Sequence, residues 1–144
     1  FSVTYATSFE ALLWHQNEDP DATTHCATKA LEISKKNSFL FWQAINTILL
    51  NWAADYAEPS DDTTTRLEKS IDSLAETGVE LWLSSPSIYL AQSYGKLGRP
   101  NDGMKILDKV ERQIAKKNLV IKNISKRQVL LSYCLNSKND SKLF

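Results

Sequence analysis

Pro86–Ile114, PSIYLAQSYGKLGRPNDGMKILDKVERQI, is the stretch whose reading decides the fold. Leu90, Ala91 and Tyr94 recur at helical spacing on one side of a tight turn. Met104, Leu107, Val110 and Ile114 do the same on the other, so two helices are predicted here. The turn itself is Leu97-Gly98-Arg99-Pro100. Glycine suits a left-handed residue after a helix, and proline suits the first turn of the next one. Gly103 lies on the inward face of the second helix, where the absence of a side chain lets two backbones come close. The two apolar faces therefore predict a helical hairpin packed on itself.

Working outward, the same punctuation recurs. Pro20, Pro59 and Pro100 are 39 and 41 residues apart, and Asn37, Gly78 and Asn118 are 41 and 40 apart. Each proline is placed in the turn inside a helical pair. Each Asn or Gly is placed where a second helix stops in a left-handed conformation. Three hairpins are predicted at about residues 3–37, 38–78 and 84–118, with a closing helix over 121–136, in one domain spanning 1–137 and a flexible tail over 138–144. Asp21, Ser38 and Ser85 are the expected helix caps, with Pro86 at a first helical position. The first hairpin should pack through Phe9, Leu12, Leu13, Ala27, Ala30 and Leu31. The helix through Trp42, Ile45, Ile48, Leu49 and Trp52 is apolar nearly all round, which predicts a helix held between neighbours. After it, 58–62 reads as a loop about two residues longer than the one after Leu97, and Leu67, Ile71, Leu74 and Ala75 form the next stripe.

Leu90, Ala91, Tyr94, Gly98, Gly103, Leu107 and Val110 occupy the offsets used by the tetratricopeptide (TPR) helix-turn-helix, so the stretch resembles that repeat. What the resemblance implies is an all-α, right-handed TPR-like superhelix of three hairpins and a closing helix, about seven helices in all.

Composition narrows the function. The 144 residues are 42% hydrophobic and 24% charged, which fits a globular domain with a core of its own. Seventeen basic side chains balance seventeen acidic ones, leaving no overall field to gather nucleic acid or an anionic membrane. No apolar run is long enough for a membrane span, and the N-terminus lacks the pattern of a signal peptide. Phe1 in place of an initiator Met suggests a piece of a longer chain. Cys26 and Cys134 are expected as buried free thiols, since their separation gives neither a zinc pattern nor a disulfide framework. His15 and His25 are read as partly exposed helix residues. His25 and Cys26, being adjacent, cannot face the same way on a helix, and no phosphate-binding, nucleophile-elbow or zinc-protease motif occurs. No catalytic residue, metal or cofactor is expected. Trp42 and Trp52 are expected in the core, Trp14 and Trp82 less completely so.

Phe41-Trp42-Gln43-Ala44, the run from Thr47 to Ala53, Glu76-Thr77-Gly78-Val79-Glu80-Leu81 and the run from Tyr89 to Pro100 occur in an order and spacing that resemble one group more closely. That group is the C-terminal helical-repeat region of large bacterial signalling proteins, in which a class III adenylate or guanylate cyclase domain, or a DNA-binding transcriptional-activator domain, is joined to an AAA-type ATPase module. The resemblance implies a non-catalytic regulatory module in a cytoplasmic multidomain protein. Its partners would be proteins or peptides, other domains of the same polypeptide included, and neither nucleic acid nor membrane.

In such a solenoid the first helix of each pair lines the binding groove. The groove positions are then Thr47, Leu50, Asn51 and Ala54 on the second pair and Ser85, Ile88, Gln92 and Lys96 on the third. Of the residues at the carboxylate-clamp positions of TPR chaperone-tail receptors, Glu10, Trp14, Ser85 and Tyr89 do not fit and only Asn51 does. A free-standing peptide adaptor and a small-molecule sensor are the alternative readings.

Overall fold

The structure, a computed structural model, describes residues 2–79 and 82–116. The described residues form six α-helices and no strand: α1 (Ser2–Gln16), α2 (Pro20–Lys36), α3 (Leu40–Ala57), α4 (Asp61–Glu76), α5 (Ser84–Lys96) and α6 (Pro100–Lys116). The all-α expectation holds. The proposed closing helix over 121–136, the tail over 138–144, Asn118, Cys134 and the side chain of Ile114 lie outside the described residues. The chain divides into two compact units, Phe1–Glu80 and Leu81–Phe144.

In the first unit α1 packs on α2, α2 on α3 and α3 on α4, and α1 also packs on α3. Held by three other helices, α3 can be apolar on most of its surface, as its sequence requires. The α1/α3 pairing is parallel and keeps one register. Tyr5 meets Trp42, Ser8 accepts a hydrogen bond from Asn46, His15 meets Trp52, and Glu18 accepts one from Tyr56, each pair 37 or 38 residues apart in sequence. A constant offset between parallel helices is what two successive copies of one hairpin produce.

The buried faces repeat as well. The second helices bury Thr23, Ala27, Ala30 and Ser34 on α2, then Thr63, Leu67, Ser70 and Leu74 on α4, a displacement of 40 residues at every position. On α6 the next displacement by 40 gives Gly103, Leu107 and Val110, all buried. The first helices bury Ser8, Ala11 and His15, then Ile45, Ile48 and Trp52, then Ser87, Leu90 and Tyr94, always ending on a ring. In the second unit α5 packs on α6, with Ile88 and Met104 closing over Ala91 and Leu107.

The first hairpin departs from the expected packing. Ala27 and Ala30 are buried, but Phe9, Leu12 and Leu31 are half-buried and Leu13 is 59% exposed. Apolar spacing selects the large residues of α1, whereas the helix is seated through Thr4, Ser8, Ala11 and His15. Small side chains permit a close approach, and across it Asn46 Nδ2 donates to Ser8 Oγ at 2.9 Å.

Helix ends account for the other differences. Asp19, not Asp21, caps α2 by accepting from the Ala22 amide at 2.9 Å, and Asp21 stands in the first turn, favourably placed for the helix dipole. Ser60 caps α4 in a reciprocal pair with Thr63, so the helix begins at Asp61. The loop before it is only residues 58–60, as short as 97–99, and the extra residues of the second hairpin are helical ones at the end of α3. α5 starts at Ser84 with Leu83 at its cap, which places Pro86 third in the helix. There its missing N–H is still in the first turn and costs no helical bond.

The inter-helix turns share one closure. Glu18, Ser38, Gly78 and Gly98 have positive φ of 56°, 56°, 77° and 72°. The following amide reaches the carbonyl five residues back at three of them: Asp19 to Trp14, Phe39 to Ser34 and Arg99 to Tyr94. Asn37, expected to be the left-handed residue, has φ −105°; its side chain instead donates to the Ile33 carbonyl. Ser38 takes the left-handed conformation in its place, and so it cannot cap α3, whose cap is Phe39. A side chain there costs about 1–2 kcal/mol relative to glycine in the folded backbone, partly offset by the greater freedom of an unfolded glycine. Ser38→Gly should therefore stabilise the protein by about 0.5–1 kcal/mol, read as a higher urea midpoint at unchanged m-value.

Candidate interaction surface

Thr47, Leu50, Asn51 and Ala54 fall in one row along α3. Thr47 is half-buried and its Oγ1 donates to the Gln43 carbonyl at 2.7 Å, which leaves it little capacity for a ligand. Leu50 is half-buried and Ala54 exposed. Asn51 leans toward α4, its Nδ2 donating to the Arg66 carbonyl at 3.4 Å. By the offset of the α1/α3 pairing, this row stands level with Glu10, Leu13 and Trp14 on α1 and Asn17 just after it, all four exposed. Leu13 at 59% and Trp14 at 39% exposure give the first unit an apolar contact pair next to Leu50, in a position the hairpin itself does not need.

On α5, Ser85 and Lys96 are exposed and Gln92 is half-buried. Ile88 turns away from that row and packs with Met104 over Ala91 and Leu107, inside the α5/α6 seam. The triplets 45/48/52 and 87/90/94 explain the difference. They align Thr47, Leu50 and Ala54 with Tyr89, Gln92 and Lys96, so half-buried Tyr89 occupies the place that the sequence reading gave to Ile88. The rows on α3 and α5 belong to separate units, and each is described by itself.

The ionisable side chains are held for structure. His15 is 6% exposed rather than partly exposed, its ring edge-on to Trp52 at 4.2 Å between centroids, and burial lowers its pKa from 6.5 to about 4. The imidazole is neutral at pH 7. Its signal in the sequence was position: four and seven residues before it stand small residues, Ala11 and Ser8, and Trp52 and Tyr94 end the corresponding triplets. Cys26 is a buried free thiol, and burial, reinforced by the Glu10 carboxylate, pushes its pKa up. A thiol so placed stays protonated and weakly nucleophilic. Its neighbour His25 is exposed. Asp55, buried, accepts from Thr63 Oγ1 at 2.8 Å and Thr64 Oγ1 at 2.7 Å, tying the end of α3 to the start of α4. Burial and the Glu18 carboxylate raise the pKa of Tyr56, whose hydroxyl donates to Glu18.

Trp42 and Trp52 are buried as expected, Trp82 is half-buried and Trp14 exposed. Among the described residues no group of three or more His, Cys, Asp or Glu side chains is placed to hold a metal ion, and no helix is long and apolar enough to cross a membrane. The described surface carries an exposed apolar pair on α1 and rows of mixed residues on α3 and α5. No protein-family model, curated protein or solved structure matches this chain.

Proposed function

We propose that this segment is a non-catalytic protein–protein or intramolecular regulatory module of a larger cytoplasmic signalling protein, built as a right-handed TPR-like superhelix. The observation that carries the reading is the 40-residue displacement of the buried faces on the second helices. A tandem hairpin repeat spends its chemistry on stacking and presents its first helices as contact surface. The sequence resemblance to the helical repeats of cyclase- and activator-linked AAA-type ATPases supports placement in a multidomain chain whose other domains carry the catalysis.

The encoding gene tests this directly. The expected result is an ATPase module and a cyclase or DNA-binding domain upstream of Phe1, with deletion of the repeat segment changing the activity or response of those domains. A solitary reading frame starting shortly before Phe1 and ending near Phe144 would overturn it. The exposed Leu13 and Trp14 favour a free-standing peptide adaptor as the second reading, which such a solitary frame would support.

A further inference from the structure

The balanced total charge conceals a division along the chain. Residues 1–80 carry 13 acidic and 5 basic side chains, net −8, whereas residues 81–144 carry 4 acidic and 12 basic, net +8. In the first unit the apolar pair Leu13 and Trp14 is exposed, and Glu10, Glu18 and Asp21, all exposed, stand on α1, in the turn after it and at the start of α2. The Trp14 carbonyl is itself bonded to the Asp19 amide, which folds that acidic turn back over the end of α1. In the second unit Lys105, Lys109 and Arg112 fall at i, i+4 and i+7 along α6 and are exposed.

We propose that two copies of this chain associate head to tail, the acid-rimmed apolar face of α1 on one copy docking against the basic row Lys105, Lys109 and Arg112 of α6 on the next. Charge selects this pairing. A symmetric contact between two α1 faces would bring Glu10, Glu18 and Asp21 against their own copies, and a contact between two α6 rows would do the same with Lys105, Lys109 and Arg112. The unlike pairing attracts, steers the encounter and leaves Leu13 and Trp14 as the desolvated centre of a polar rim. Such a contact is heterologous, so it can propagate beyond the dimer unless its rotation closes a ring. The inference stands on charge and exposure and is independent of the parent protein's activity.

Sedimentation velocity of the full 144-residue chain over a range of concentrations tests it. At roughly 25 mM salt the sedimentation coefficient should rise with concentration, and at about 500 mM salt the rise should disappear, because exposed charges are then screened within a few ångströms. Leu13→Ser with Trp14→Ser, which removes the apolar centre without adding charge, should weaken association by about tenfold or more while the helical CD signal stays unchanged, both positions being exposed. Lys105→Glu, Lys109→Glu and Arg112→Glu together should do the same from the other side. Mixing the two variants should restore a single 1:1 dimer, since one retains an intact α1 face and the other an intact basic row. A monomer at every salt concentration overturns the proposal, including the case where the unlike charges attract only within one chain. So does association that salt leaves unchanged, or that either variant retains alone.

Discussion

Gly103→Leu should cost the protein several kcal/mol and open the α5/α6 hairpin. A Cβ built on Gly103 lies 2.6 Å from the Ala91 carbonyl oxygen and 3.3 Å from its carbon. The obstruction is backbone inside α5, so no rotamer change relieves it and the two helices must separate. On an exposed helix, replacing Gly by Ala or Leu would instead gain up to about 1 kcal/mol from propensity. Overpacking a core commonly costs about 1–3 kcal/mol where side chains can shift, and a fixed backbone puts this site at or above the top of that range. Even Gly103→Ala should be destabilising, which reverses the sign expected from propensity. Urea unfolding measures both variants, and amide exchange should show α5 and α6 losing protection. An unchanged midpoint for Gly103→Leu would mean that the helices do not meet at this residue.

That contact was legible because it rests on short-range chemistry: a glycine in an apolar helical stripe, three residues after a proline that starts the helix. The spacing of about 40 was legible for the same reason, since prolines and left-handed turn residues mark helix ends wherever they occur. α1 was misread because its core face is made of Thr4, Ser8, Ala11 and His15, which a search for apolar spacing passes over, while its largest apolar residues lie outside. No residue of α1 taken alone reveals this. It follows from the position of α3, which sets Asn46 against Ser8 and Trp52 against His15. The turn residues carry a similar lesson, because residue preference points to Asn37 for the left-handed conformation, whereas the end of α2 puts it on the less suited Ser38.

The groove positions were harder to place for a different reason. On α3 Thr47, Leu50, Asn51 and Ala54 share one helical face, but neither half-burial nor the bonds of Thr47 and Asn51 to the backbone could be seen in the sequence. On α5, Ile88 packs with Met104 over Ala91 and Leu107, a contact that depends on where α6 lies. Total charge misled too. Seventeen against seventeen suggested a neutral surface, whereas the sum hides two oppositely charged halves.

His15 should make the protein acid-sensitive. In the unfolded chain its imidazole takes up a proton below pH 6.5, and in the folded chain only below about 4, because burial against Trp52 removes the water that would solvate the charge. A depressed histidine pKa means that the unfolded state binds more protons between those two values. Stability is therefore highest above pH 6.5, falls as the pH drops from 6.5 toward 4, and stops falling from this cause below 4. The full difference corresponds to about 3 kcal/mol, and about 2 kcal/mol of it should already be lost at pH 5. Carboxylates also titrate in this range, so a difference measurement isolates the ring. His15→Phe keeps an aromatic ring at the position that Trp52 and Tyr94 fill in the later hairpins and has no proton to gain. Its urea midpoint relative to the parent protein should rise steadily as the pH is lowered from 7 to 5, with the gain at pH 5 exceeding that at pH 7 by about 2 kcal/mol. A constant difference across that range would mean that His15 titrates alike in both states, and the edge-on contact with Trp52 would then have to open wide enough to admit water.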